Sequence, residues 1–126
     1  MDSDALITDP DTLKVLISKQ ATVVAPMLLS GEYYSNFWAA ITEDHYYKRS
    51  DDYPVIYNRE EVGCFNVPMV YSAVLTNLNH KISDKLSFEP RNFPTYIGSR
   101  DDLIMFGVGA NMSGKNHQLT MRTFLR

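Results

Sequence analysis

Between residues 9 and 20, apolar side chains recur at Leu13, Leu16 and Ile17, the three-and-four spacing of one helix face. The flanks agree. Asp9 suits an N-cap, Pro10 falls in the first turn, where a missing N–H costs nothing, and Asp11 favours the positive end of the helix dipole. The pattern predicts a helix that ends near Lys19-Gln20 and buries Leu13, Leu16 and Ile17. Thr22-Val23-Val24-Ala25 follows as a β-branched run stopped by Pro26, a short buried strand. A helix feeding straight into such a strand is half of an α/β unit, so α/β is the expected class.

From Tyr33 to Tyr57 the chain becomes aromatic: six of the eight tyrosines lie there, with Phe37 and the only tryptophan, Trp38. Asn36–Ile41 and Tyr53–Tyr57 are predicted strands, with a polar turn around Thr42-Glu43-Asp44. A second turn, Glu60-Glu61-Val62-Gly63, leads into Cys64–Pro68 as a strand or loop. Met69–Leu78 is apolar throughout, and its periodicity fits a strand or a strand followed by a helix. Ser99 and Asp102 resemble a capping box for a second helix, with Leu103, Phe106, Gly107 and Ala110 on one face and Gly114 as terminator. His117–Phe124 alternates as a last strand.

Composition narrows the function. The 126 residues are 44% hydrophobic and 21% charged, within the range of a single globular domain. The net charge is −3, and the densest basic pair, Lys48-Arg49, is followed at once by Asp51 and Asp52, which argues against nucleic acid as a partner. No apolar run reaches the roughly eighteen residues of a transmembrane helix. Acidic Met1-Asp2-Ser3-Asp4 is unlike the basic start of a signal peptide. Cys64 stands alone and so forms neither an internal disulfide nor a zinc site. Asn111-Met112-Ser113 is a glycosylation sequon.

Asp2-Ser3-Asp4 is the first candidate for chemistry. Two carboxylates two residues apart on a turn can converge on one hard divalent cation such as Mn2+ or Mg2+, which would neutralise a diphosphate. The triplet is very common, and alone it reads more readily as a solvated chain end than as a metal site. Trp38 and its neighbouring tyrosines suit either a core or a platform for a sugar ring. Cys64 reads as a small buried hydrophobe. His45, His80 and His117 lack metal-ligand spacing. Asp101-Asp102 at a helix start are acids that the dipole favours, whatever their role.

Context adds to these readings. Asp2–Leu13 resembles the stretch "DADN-hydrophobic-hydrophobic-x-(N/D)-P-x-T-L" of the collagen (hydroxylysine) galactosyltransferases, glycosyltransferase family 25. Thr22–Met27 matches that family's TVVAPM, Tyr34–Trp38 its YSNFW, and Tyr46–Arg49 its GYYKR, with His45 in place of glycine. Gly63–Val70 matches GCFxVPMV, and Asp101–Ile104 resembles DDII. The matches run in order from residue 2 to about residue 106. The related glycosyltransferase-like domain of lysyl hydroxylases reads GVWNVP and DPDM where this chain has GCFNVP and DD, so the galactosyltransferase branch is preferred. These residues do not separate it from the family's cerebral adhesion relative.

The resemblance implies a partial GT-A-like fold, the Rossmann-related sheet of nucleotide-diphospho-sugar transferases, with residues 1–126 as the second half of one domain that begins at the DxD motif. It implies inverting transfer of galactose from UDP-galactose to hydroxylysine of collagen in the endoplasmic reticulum lumen. Asp2 and Asp4 would hold Mn2+, Asp102 or Asp101 would be the base, and Asn36 and Trp38 would line the sugar pocket. The remainder of a parent protein would be a further partner. The competing class is a non-catalytic accessory domain for folding or collagen recognition, as in lysyl hydroxylases.

Overall fold

The computed structural model describes residues 1–31, 35–43, 47–89 and 121–124. Helix α1 covers Thr12–Ser18 and strand β1 Val23–Pro26, as the pattern predicts to within about two residues. The N-cap is Asp11 and not the expected Asp9, and no side chain caps the helix; Asp9 instead closes a local turn, its Oδ1 accepting the Asp11 N–H at 2.8 Å. The buried face of α1 differs from the predicted one. Leu16 is buried and Val15 half-buried, whereas Leu13 and Ile17 are 56% and 60% exposed. The spacing Thr12, Val15, Leu16, Lys19 faces inward instead, a rotation that the apolar pattern alone does not disclose.

The region read as one strand, Asn36–Ile41, is two. Strand β2, Phe37–Trp38, pairs antiparallel with β6, Met69–Val70. Strand β3, Ala40–Ile41, pairs antiparallel with β4, Tyr47–Lys48. The chain bends at Ala39 as it changes partner.

Tyr53–Tyr57 is a helix, α2, and not the predicted strand. Pro54 sits in its first turn, where its fixed φ suits a helix and where a strand would lose a ladder donor. The packing follows helical spacing: Tyr53 and Ile56 are buried and Tyr57 is stacked on Tyr53.

Strand β5 covers Cys64–Val67, within the expected span. The ambiguous Met69–Leu78 run holds two strands, β6 and then β7 at Leu75–Thr76, with no helix between them. A 3-10 helix over Lys81–Lys85 had no sequence expectation, and β8 is Met121–Phe124. Strands β5, β8, β1 and β7 form a four-stranded sheet in that order, with β8 parallel to β1 and the other two pairings antiparallel. Among the described residues the architecture is mixed α/β, with one four-stranded sheet and two small ribbons. The core gathers Val23 and Ala25 of β1, Phe37 of β2, Tyr53 and Ile56 of α2, Val67 of β5 and Val70 of β6. No helix among the described residues is long and apolar enough to cross a membrane.

The predicted helix beginning at Ser99, the acids Asp101 and Asp102, the sequon at Asn111, and His45 and His117 all lie outside the described residues.

Candidate active site

Beyond the carboxyl end of β1 lies a cleft of about 790 Å³. One side is the N-terminal segment, with Asp4, Asp9 and Thr12. Pro26, Met27 and Leu28 line it where the chain leaves β1, and Ser35, Asn36, Tyr71 and Ser72 form the facing wall. Among the described residues that line it, Arg59, just after α2, is cationic.

The wall is fixed by a hydrogen-bond network centred on Asn36, which is 3% exposed. Its Oδ1 accepts the Leu28 N–H at 2.8 Å and lies 3.1 Å from the Ser35 hydroxyl, whose shorter bond, 2.7 Å, donates to the Leu28 carbonyl. Its Nδ2 donates to the carbonyls of Pro26 at 2.9 Å and Tyr71 at 3.0 Å. A backbone N–H only donates and a carbonyl only accepts, so these partners fix the amide orientation. All the hydrogen-bonding capacity of the carboxamide faces protein. Asn36 therefore ties the end of β1 to the segment after β6 and shapes the wall from behind.

Tyr71 completes the network. Its hydroxyl donates to the Ser35 carbonyl at 2.6 Å and accepts a hydrogen bond from the Trp38 side chain. Burial pushes its ionisation above the ordinary 10.0, the nearby Tyr53 adds to the rise, and the Trp38 bond opposes it. Tyr71 is thus a neutral phenol at any physiological pH, with both hydroxyl roles committed. The Tyr53 hydroxyl in turn accepts the Ser35 N–H at 3.1 Å.

At the rim, the Ala73 N–H bonds back to the Tyr71 carbonyl at 2.8 Å, closing a γ-turn around Ser72 at φ 62°. That left-handed conformation is uncommon for a residue with a Cβ. The corner turns the Ser72 carbonyl towards the N-terminal segment, where it accepts the Asp2 N–H at 2.7 Å. The Ala5 N–H closes on the Asp2 carbonyl at 3.2 Å, so Asp2-Ser3-Asp4 is a turn anchored to the cleft rim. Both carboxylates are exposed, and Asp4 lines the cleft whereas Asp2 does not.

A carboxylate such as Asp4 at this rim is a hard oxygen donor of the kind a small divalent cation takes, with water and phosphate as further ligands. Among the described residues no group of three or more His, Cys, Asp or Glu side chains gathers to hold a metal without such help.

The sequence of this segment matches the model of the Glycosyltransferase family 25, N-terminal domain, over residues 1–123. The chain belongs to glycosyltransferase family 25. It is 45% identical to a Glycosyltransferase 25 family member of Drosophila melanogaster over 124 residues, covering 90% of this chain and 20% of that protein. It is 44% identical to Procollagen galactosyltransferase 2 of Homo sapiens, covering 90% of the chain and 18% of the relative. It is equally 44% identical to Inactive glycosyltransferase 25 family member 3 of Mus musculus, with 90% and 19% covered. The chain thus spans about a fifth of the length of the curated relatives it matches.

Within this family 25 segment, the structure brings Asp4 and Asn36 to one cleft. Trp38 stands behind the cleft wall, half-buried and joined to it through Tyr71. Sequence reasoning did not single out Ser35, Tyr71 or Arg59. Ser35 adjoins Asn36 and was open to suspicion, but Tyr71 meets Asn36 across 35 positions and nothing local announces that pairing.

Proposed function

We propose that this chain forms part of the donor site of a galactosyltransferase that moves galactose from UDP-galactose to hydroxylysine in collagen, within the endoplasmic reticulum lumen. The observation that carries the reading is the anchored Asp2-Ser3-Asp4 turn, which places Asp4 in a cleft at the carboxyl end of β1. Ligands of open α/β sheets sit outside the carboxyl ends of strands, which supports a GT-A-like fold. The name of the human relative supplies the sugar and the acceptor.

In this reading Asp2 and Asp4 hold Mn2+, which when bound would neutralise the leaving diphosphate. The Ser72 corner keeps their turn at the rim. Asn36 and Tyr71 keep the wall rigid, so the donor is aligned before reaction and not during it. Trp38 supports the wall of the sugar pocket from behind Tyr71 without lining the cleft itself. Asp102 or Asp101 takes the proton from the acceptor hydroxyl as base.

A second reading is a non-catalytic module for folding or collagen recognition. Its support is the inactive mouse relative, as similar to this chain as the human galactosyltransferase is. Calorimetry with UDP separates the two. The galactosyltransferase reading expects UDP to bind with Mn2+ present and much more weakly without it, and Asp4→Asn to weaken that coupling. Equal UDP affinity in wild type and Asp4→Asn at saturating Mn2+ would remove Asp4 from the donor site.

A further inference from the structure

Helix α2 ends in a corner that glycine usually makes. The Arg59 N–H bonds to the Ile56 carbonyl at 3.1 Å, and the Glu60 N–H reaches back to the Val55 carbonyl at 3.0 Å. Those two bonds are the Schellman closure of a helix, with Arg59 at the position that turns left-handed. Its φ is 61°. A residue with a Cβ is strained in that conformation and glycine is not. The turn itself therefore gives no reason for arginine.

The place of the residue does. Arg59 lines the cleft beyond β1, as do the carboxylates Asp4 and Asp9. Its side chain is exposed and makes no hydrogen bond or ion pair with a described residue, although Glu60 and Glu61 follow it directly. A cationic side chain at a helix end can fold back onto the last carbonyls. Here the carbonyls of Pro54, Val55 and Ile56 already accept backbone N–H groups, from Asn58, Glu60 and Arg59. The guanidinium is left to what enters the cleft.

Charge balance says what that is. In the donor-site reading Asp2 and Asp4 hold Mn2+, and the two carboxylates offset both charges of the cation. Asp9 adds a further negative charge at the cleft. A diphosphate would meet no net positive charge from these groups alone. Arg59 supplies it in the form that phosphate oxygens favour, a planar and weakly hydrated fork of N–H donors.

We propose that Arg59 binds the diphosphate of the nucleotide-sugar donor, and that the strained corner after α2 serves to hold this side chain at the cleft. The inference rests on the galactosyl-transfer reading above and deepens it.

The experiment uses the longer protein that carries this segment, at saturating Mn2+. UDP is titrated by calorimetry into wild type, Arg59→Met, Arg59→Lys and Arg59→Gly, and uridine is measured by competition. Hydrogen exchange, read by mass spectrometry on peptides spanning α2, reports the corner itself. Arg59→Met keeps a long side chain and the strain but removes the charge. It should lose about ten- to a hundredfold in UDP affinity, the scale of hydrogen bonds to a charged group. Its uridine affinity should stay unchanged, and its deficit against wild type should narrow as salt is raised. Arg59→Lys should fall between the two. Arg59→Gly should bind UDP as weakly as Arg59→Met yet protect the end of α2 at least as well as wild type, because glycine takes this φ without strain.

Wild-type UDP affinity in Arg59→Met overturns the proposal. Where the methionine variant does not fold, wild-type UDP affinity in Arg59→Gly overturns it equally. A parallel fall in uridine affinity, or faster exchange at the end of α2 in Arg59→Gly, makes Arg59 part of the cleft's structure and also overturns it. Failure of the underlying reading looks different: a folded wild type that does not bind UDP with Mn2+ overturns the donor site itself.

Discussion

Tyr71, which the sequence did not single out, joins Asn36 in holding the site together. Its hydroxyl spans the Ser35 carbonyl and the Trp38 side chain, and its carbonyl takes an amide hydrogen from Asn36. Tyr71→Phe keeps the ring and removes the hydroxyl, and with it the donor to the Ser35 carbonyl. The expected loss is about 1–3 kcal/mol of stability, read from denaturant unfolding. A pH signature accompanies it. The folded phenol holds its proton above the ordinary 10.0, so the stabilisation is complete below that pH and declines as pH rises through the folded value. Wild type should lose stability steeply on that alkaline limb and Tyr71→Phe should lose less; parallel limbs would show that the buried phenol is not the group that titrates. Asn36 and Trp38 were legible as candidates because an amide and the sole indole stand out among aromatics. Their partner was not, because hydrogen bonds across 35 positions leave no local pattern.

At the scale of elements, α1 and β1 were readable because their signals are local: apolar spacing, a proline stop and a β-branched run. α2 was misread because five residues alternate or repeat equally well, and the deciding residue is Pro54, tolerated in a first helical turn and excluded from a strand ladder. The two readings separate by mutation. Helical packing puts Ile56 in the core at 5% exposure and leaves Val55 half-buried, whereas a strand would set Val55 on the same face as Tyr53 and Tyr57. Ile56→Ala should cost about 2–5 kcal/mol and Val55→Ala clearly less. The reverse order in chemical denaturation would restore the strand. The corner at Ser72 was equally illegible, since serine carries no mark of a left-handed backbone, yet that corner sets the place of the Asp2-Ser3-Asp4 turn.

Over the whole molecule, the family was legible in the ordered series of motifs, because a succession of short matches in register is far more specific than any one of them. The mixed α/β class followed from the first helix and strand. The sheet order was not legible: β8 lies between β1 and β5 although nearly a hundred residues separate it from β1 in the chain, and only tertiary packing decides such a neighbour. Outward-facing Leu13 and Ile17 on α1, with Leu6 and Leu29 nearby in sequence, show that apolar positions in this segment do not all turn to its own core. The chain spans about a fifth of its relatives' length, so its activity is a property to be tested in the protein that carries it. The most direct measurement is mass spectrometry of a hydroxylysine-containing collagen peptide after incubation of that protein with UDP-galactose, with Mn2+ and with chelator. The account predicts one added hexose on hydroxylysine with Mn2+, none with chelator, and turnover reduced by about 10²–10⁴-fold in Asp102→Asn or Asp101→Asn at unchanged UDP-galactose affinity. An unmodified peptide under every condition, from a folded protein that still binds UDP, would contradict the transferase reading and favour the non-catalytic module.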